Sequence, residues 1–314
     1  MKAAPASPKP LSKLISDWVC ALRIPYFITT LIPPLMAFVL VGRETGIWPG
    51  SEFIALLLGI LFMHAATNLI NDYYDTINGV DNQKSVGGSR VVLDGKLTLA
   101  DLARAATICY FLSLLAFLVF FWQTGRWWVM PGWFLGFMAS FFYVGPPIAY
   151  GYKGWGEFFV FLSAGWLLLL GSFVALSGYF SIAALGTATL FGLMSADVLF
   201  YQSLPQIEND PLHGKNTLAS KLGRRTALRV QKIIWPFIWL GCAAMFFSGL
   251  LAWPALGALL GIPFYFRLER RIAATIDSDL TGLYSAGYLV RIMFFIASLA
   301  LMAGCLIMSE QTLF

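Results

Sequence analysis

Nine stretches of this chain are long and apolar enough to cross a lipid bilayer, and that feature decides most of what it can fold into. About 20 helical residues span roughly 30 Å of hydrocarbon. Windows near 18–42, 52–71, 102–122, 127–144, 156–177, 180–201, 231–250, 252–268 and 286–307 meet that requirement. The eighth is the shortest and is parted from the seventh only by the turn signal Trp253-Pro254, so eight spans is the neighbouring expectation. Lipid offers no partner to backbone N–H and C=O groups, which each segment must satisfy itself. The expected fold class is therefore an all-α integral membrane protein of about nine transmembrane helices. At 59% hydrophobic and 12% charged, the chain lies far from the soluble average of about 45–50% and about 25%. Disordered, disulfide-stapled and collagen-like classes are excluded on the same ground.

Charge placement supplies the orientation. Of the 21 Lys and Arg, only Arg43 and Arg126 fall in the gaps near 43–51, 123–126, 178–179 and 251 or in the C-terminal tail. The positive-inside rule then puts the N-terminus and both long polar gaps, 72–100 and 202–230, in the cytoplasm. Residues 1–16 read as a cytoplasmic tail and 17–314 as one membrane domain. The net charge of +5 is used up by this anchoring, and no basic patch is left to read nucleic acid. No cleavable signal peptide is expected, because the first apolar run is too long and lacks an A-x-A exit. Cys20, Cys109, Cys242 and Cys305 stand singly in apolar runs, without the spacing of a zinc site or a disulfide framework.

Polar chemistry gathers in the two long gaps. The first opens Asn68-Leu-Ile-Asn71-Asp72-Tyr-Tyr-Asp75 and continues to Gly79 and Asp81. If the second helix runs on through it, Asn68, Asp72 and Asp75 stand at i, i+4 and i+7 on one face, with Asn71 beside them. Bare carboxylates three residues apart repel, and a divalent cation removes the repulsion. An all-oxygen set suits Mg²⁺ shared with substrate phosphates. Gly79 permits a turn that returns Asp81 to the site. Any one Asp could simply solvate a helix end, but Asn68 and Asn71 lie at the edge of the apolar run, where a polar side chain is expensive. The second gap carries Gln206 and Asp210 four residues apart, a weaker metal site, followed by Lys215, Lys221, Arg224 and Arg225, which suit phosphate oxygens. Arg224, Arg225 and Arg229 are accounted for by anchoring; Lys215 fits either role.

The segments NLINDYYDTINGVD (68–81) and QSLPQIENDPLHGKNTLASKLG (202–223) resemble the two signature regions of the UbiA superfamily of intramembrane aromatic prenyltransferases. The Asp75-to-Asp81 gap with its Gly79, and the segment Tyr143 to Glu157, are similar to the branch acting on 1,4-dihydroxy-2-naphthoate in menaquinone and phylloquinone synthesis. The resemblance spans most of the chain and implies a UbiA-like bundle. It implies Mg²⁺ as cofactor, with Asn68, Asp72, Asp75 and Asp81 at one ion and Gln206 and Asp210 at a second. It also implies Asn68, Asn71, Arg23, Lys215 and Tyr143 at the diphosphate, and Asp72, Asp75, Asp210 and Lys153 as catalytic. Gln206 departs from the Asp that most of the superfamily carries, which weakens the second metal site; the phylloquinone-type enzymes resemble this chain in having Gln there.

The implied partners are a polyprenyl diphosphate, an aromatic acceptor and the lipid bilayer, with the oligomeric state left open. The implied location is the bacterial cytoplasmic membrane, with the active-site loops on the cytoplasmic face. An allylic diphosphate ionises when metal ions, Lys and Arg hold the departing anion. The allyl cation must then be kept from water, as a pocket lined by some of the 27 Phe, 12 Tyr and 11 Trp could do. Other acceptors, 4-hydroxybenzoate or homogentisate, are the alternative within the family. A transporter is the rival class, but transport sites sit near the bilayer midplane, whereas these acids sit at helix ends on one side.

Overall fold

The structure is a computed structural model that describes residues 10–83, 85, 87–275, 277 and 279–307. Among these residues there is no strand. The helices are α1 (Leu11–Ala21), α2 (Ile28–Thr45), α3 (Ser51–Ile77), α4 (Leu99–Thr124), α5 (Met130–Phe141), α6 (Gly156–Val160), α7 (Gly171–Ser177), α8 (Ile182–Ser203), α9 (Leu218–Leu222), α10 (Arg224–Phe247), α11 (Ile262–Thr275) and α12 (Gly287–Leu306). A π-helical stretch, Phe161–Leu170, joins α6 to α7 into one rod.

Seven segments are long and apolar enough to cross a membrane: Ile24–Thr45, Ser51–Ile77, Leu99–Thr124, Gly156–Ser177, Ile182–Gln206, Arg224–Phe247 and Leu280–Leu306. The fourth and eighth sequence windows are helical too, but they fall short of that standard. In the fourth, α5 has only 12 residues after a 3₁₀ turn, Trp127–Val129. In the eighth, a 3₁₀ stretch, Trp253–Gly261, passes into α11, which carries Arg267, Glu269, Arg270 and Arg271. The first window is corrected: it is two helices, because Pro25 has no N–H to give the Ala21 carbonyl and so cannot carry α1 onward. Arg23 sits at the break with φ 53°. Helix α1 leaves Leu11, Ile15 and Val19 exposed on its surface.

Close backbone contact organises the middle of the bundle. A Cβ on Gly192 would meet the Phe161 carbonyl at 2.5 Å, and one on Gly165 would meet the Gly192 Cα at 2.8 Å, so the π-helical stretch and α8 touch main chain to main chain. Small residues commonly make such contacts where lipid gives helices no hydrophobic reason to associate. Helices α3 and α4 meet at Gly59 through α4 side chains, with Phe117 packed on the glycine and the Ser113 hydroxyl donating to its carbonyl at 2.7 Å. A buried polar tie joins α8 to α10: Asp197 accepts from Gln231 and from the Trp235 indole, both at 2.8 Å. Between these contacts Phe120, Phe121, Phe173, Phe191 and Phe294 are fully buried, whereas Trp122, Phe237 and Phe247 face outward, as a lipid-facing surface allows. Helices α3 and α8 end on the same side, so the loops that follow them meet there.

Candidate functional site

Beneath the two loops lies a cavity of about 750 Å³, walled by α2, α3, α5, the π-helical stretch and α8. Leu56, Ile60, Met63, Trp133, Leu167 and Leu168 line its apolar body. Arg23, Asn68, Asn71, Asp75, Asp81, Tyr143, Gln206, Asp210 and Lys215 line its polar end. The two sequence clusters, some 130 residues apart in the chain, thus face one chamber.

Helix α3 does continue to Ile77, because no Gly or Pro falls between Asn68 and Gly79, and this sets Asn68, Asp72 and Asp75 on one face. Asn68 donates to the Leu22 carbonyl at 2.8 Å, fixing the end of α1 against α3. Asp72 is paired with the Arg23 guanidinium and accepts from the Ser89 hydroxyl; Arg23 also reaches Asn71 at 3.2 Å. Asp75 accepts from Lys215 Nζ at 2.9 Å and from the Tyr152 hydroxyl at 2.6 Å. Gly79 has φ +72°, and the turn it permits brings the Asp81 N–H to the Asp75 carbonyl at 3.0 Å. Asp81 packs against Gly88, where an added Cβ would meet its carboxylate at 2.5 Å.

Electrostatics follow from this crowding. Burial, then the Asp75 charge, pushes the Asp81 carboxyl up to about 7. Burial raises Asp210 to about 6 despite the opposing pull of Lys215. For Lys215 burial acts to lower the ammonium, but Asp75 and Asp210 outweigh it and hold the group above its usual range. Burial and the neighbouring Asp75 raise the Tyr152 phenol. The chamber therefore carries both signs of charge and holds carboxyls that a further cation would ionise.

Among the described residues no three His, Cys, Asp or Glu side chains converge on one ion position, since Arg23 and Lys215 occupy the places a cation would take at Asp72 and Asp75. Among the described residues two acceptors, Gln206 Oε1 and Asp210 Oδ1, are buried with no hydrogen-bond partner. An all-oxygen set with orphaned acceptors and resident cations fits Mg²⁺ arriving with a diphosphate that supplies the remaining ligands; it does not fit a bare ion held by protein alone.

Lys153 is the expectation the geometry does not support. It ends the 3₁₀ turn Tyr150–Lys153, is exposed, does not line the cavity, and meets Lys221 Nζ only through its carbonyl, at 2.6 Å. The turn directs Tyr152 inward and Lys153 outward. Asp72 is correctly placed on α3 but faces Arg23 and Ser89 and does not line the cavity wall. Arg224 pairs with Glu208 at 3.1 Å, away from the chamber. The sequence reading missed Tyr152 and Ser89. The signal for Ser89 was the Gly87-Gly88 pair before it, which lets a loop approach a carboxylate closely.

Comparison with known proteins agrees with this geometry. The sequence model described as the UbiA prenyltransferase family matches residues 30–299. A 2-carboxy-1,4-naphthoquinone phytyltransferase from Synechocystis is 24% identical over 86% of this chain and 87% of its own length. A 1,4-dihydroxy-2-naphthoate octaprenyltransferase from Escherichia coli is 30% identical over 63% of this chain and 67% of its own. Among solved structures, a UbiA homolog from Archaeoglobus fulgidus bound to GPP and Mg²⁺ superposes with a TM-score of 0.61 at 15% identity, covering 91% of this chain and 99% of that one.

Proposed function

The chain belongs to the UbiA prenyltransferase family, and from that premise we propose that it transfers a polyprenyl group from an allylic diphosphate to 1,4-dihydroxy-2-naphthoate, with Mg²⁺ at the diphosphate. The observation that carries this reading is the single chamber, charged with both signs at its loop end and apolar along its body. A polyprenyl diphosphate has the same polarity from end to end. The naphthoate is supported by the Escherichia coli relative, named for 1,4-dihydroxy-2-naphthoate, and by the Synechocystis relative, named for 2-carboxy-1,4-naphthoquinone.

In this reading Lys215 and Arg23 leave Asp75 and Asp72 to hold diphosphate oxygens, while the freed carboxylates, Asp81, Asp210 and Gln206 face the metal. Bound Mg²⁺ would neutralise the charge that gathers on the diphosphate as the C–O bond breaks. Asn68, Asn71 and Tyr143 stand at the same level to orient the head group. The allylic carbon leaves its bonding pair on the diphosphate oxygen, a ring carbon of the acceptor supplies the pair for the new C–C bond, and loss of the carboxylate as CO2 from that carbon returns a bonding pair to the ring and restores its aromaticity. The apolar body excludes water from the cation, and Trp133 lends it a ring face. Our reading puts the loops that hold the site on the cytoplasmic face of a bacterial inner membrane, and the positive-inside count supports the choice of face.

The test is incubation of detergent-solubilised protein with Mg²⁺, an allylic diphosphate and a panel of aromatic acceptors, with products identified by mass. Prenylated naphthoquinol is the expected product. A product from 4-hydroxybenzoate or homogentisate alone would move the assignment to that acceptor, and no product from any would sink it.

A further inference from the structure

Beside the main cavity lies a smaller pocket of about 100 Å³, which shares Tyr26, Val198, Gln202 and Tyr284 with it as common wall. Its floor holds Arg291, in the second turn of α12 and within the last apolar segment. An arginine inside a membrane segment is expensive unless an anion or a water-filled cavity receives it. Here the guanidinium turns inward. It lies 5.2 Å from the centroid of the Tyr26 ring and donates to the Tyr26 hydroxyl at a long 3.4 Å. No carboxylate lines the pocket, and among the described residues Arg291 has no acidic partner within salt-bridge distance. The Gln202 amide, in the last turn of α8 and four residues before Gln206, makes no hydrogen bond to the described residues either. Anchoring at the membrane surface would explain a basic side chain turned outward; it does not explain one stacked on Tyr26 at the wall of the substrate chamber.

We propose that this side pocket is a carboxylate subsite, in which Arg291, with Tyr26 and Gln202, binds the carboxyl group of the aromatic acceptor. A planar guanidinium offers paired N–H donors that match the two oxygens of a carboxylate. The pocket is large enough for a carboxylate, while the shared wall leaves the acceptor's ring in the main cavity. Gln202 lies one helical turn from Gln206, so the ring sits one layer inward from the diphosphate, next to the allylic carbon. Arg291 is thus a specificity-determining residue that separates carboxylated acceptors from neutral ones. The inference rests on the reading of a carboxylated acceptor.

The test is calorimetric binding, in micelles and without Mg²⁺ or prenyl donor, of 1-hydroxy-2-naphthoate and of 1-naphthol. In the wild type the naphthoate binds more tightly. Arg291→Gln weakens it by about tenfold to a hundredfold, the range of a charge-assisted hydrogen bond. Binding of 1-naphthol, and of a non-reactive prenyl thiolodiphosphate with Mg²⁺, stays unchanged. Equal losses for both naphthyl ligands, or a loss confined to the diphosphate, would overturn the subsite. Should Arg291→Gln lose every ligand, Arg291→Lys decides: a weakened but retained preference for the carboxylate supports the proposal, and no preference removes it. Displacement of the naphthoate by phosphatidylglycerol would assign the pocket to a lipid phosphate instead. If the wild type prenylates only uncarboxylated acceptors, the acceptor reading fails. If it prenylates the naphthoate while Arg291→Gln binds it normally, only the subsite fails.

Discussion

Replacing Lys215 by Met tests how the two loops are joined and what the junction does. Lys215 Nζ lies 2.9 Å from Asp75, and the two side chains are only 12% and 4% exposed. Methionine keeps the length of the stem but leaves Asp75 buried with Tyr152 as its remaining donor, among Asp81 and Asp210. Removing one partner of a buried pair costs about 3–5 kcal/mol. With an unfolding entropy near 2.1 cal/mol/K per residue, a chain of 314 residues loses about 1.5 °C per kcal/mol, so Tm falls by about 5–8 °C. Asp75→Asn combined with Lys215→Met removes both charges and should recover most of that loss. Turnover should fall about 100- to 1000-fold in either variant, the range for losing one group that stabilises developing negative charge. Tryptophan fluorescence during heating in metal-free detergent reads the first effect, and product formation the second. An unchanged Tm in the single variant, or undiminished turnover in both, would refute the account of Lys215 as counter-ion first to Asp75 and then to diphosphate.

Activity should vanish in EDTA and return with added Mg²⁺; full turnover in chelator would remove the metal from the scheme. Gln206→Asp should stay active because it keeps an oxygen near the orphaned position of Oε1, whereas Gln206→Leu should abolish turnover or raise the Mg²⁺ requirement; a fully active Leu variant would make that loop purely structural. Single cysteines at the exposed positions Gln83 and Asn216, in a background without the four native ones, should both be labelled by a reagent confined to the cytoplasmic side, and cysteines at Arg43 and Arg126 should not. Labelling of Gln83 and Asn216 from opposite sides would contradict the shared chamber.

The polar face of α3 was legible because spacing alone decides it: an uninterrupted helix to Ile77 must align Asn68, Asp72 and Asp75. That the two loops meet was legible from their place after even-numbered apolar windows. Three things were not. A 3₁₀ turn rotates about 120° per residue, so adjacent Tyr152 and Lys153 take different directions, and the resemblance drew attention to Lys153 while Tyr152 is the one that reaches Asp75. The pairing of Asp72 with Arg23 depends on the left-handed break before Pro25, which the first apolar window ran across. Arg291 is one charge in a long apolar run, and averaging hydropathy over a window hides such a residue; only the fold shows that it turns inward.

The contact between the π-helical stretch and α8 sets a limit on how this protein can diversify. One wall of the chamber is held where it is by main chain against main chain at Gly165 and Gly192, and any larger residue at either would drive the wall apart instead of reshaping it. Lineages that adapt to a longer or shorter isoprenoid are therefore directed to positions that meet the chamber through side chains, Leu56, Ile60 and Met63 of α3, Trp133 of α5, and Leu167 and Leu168 of the π-helical stretch. Substitutions that change product length should accumulate there while the two glycines stay fixed.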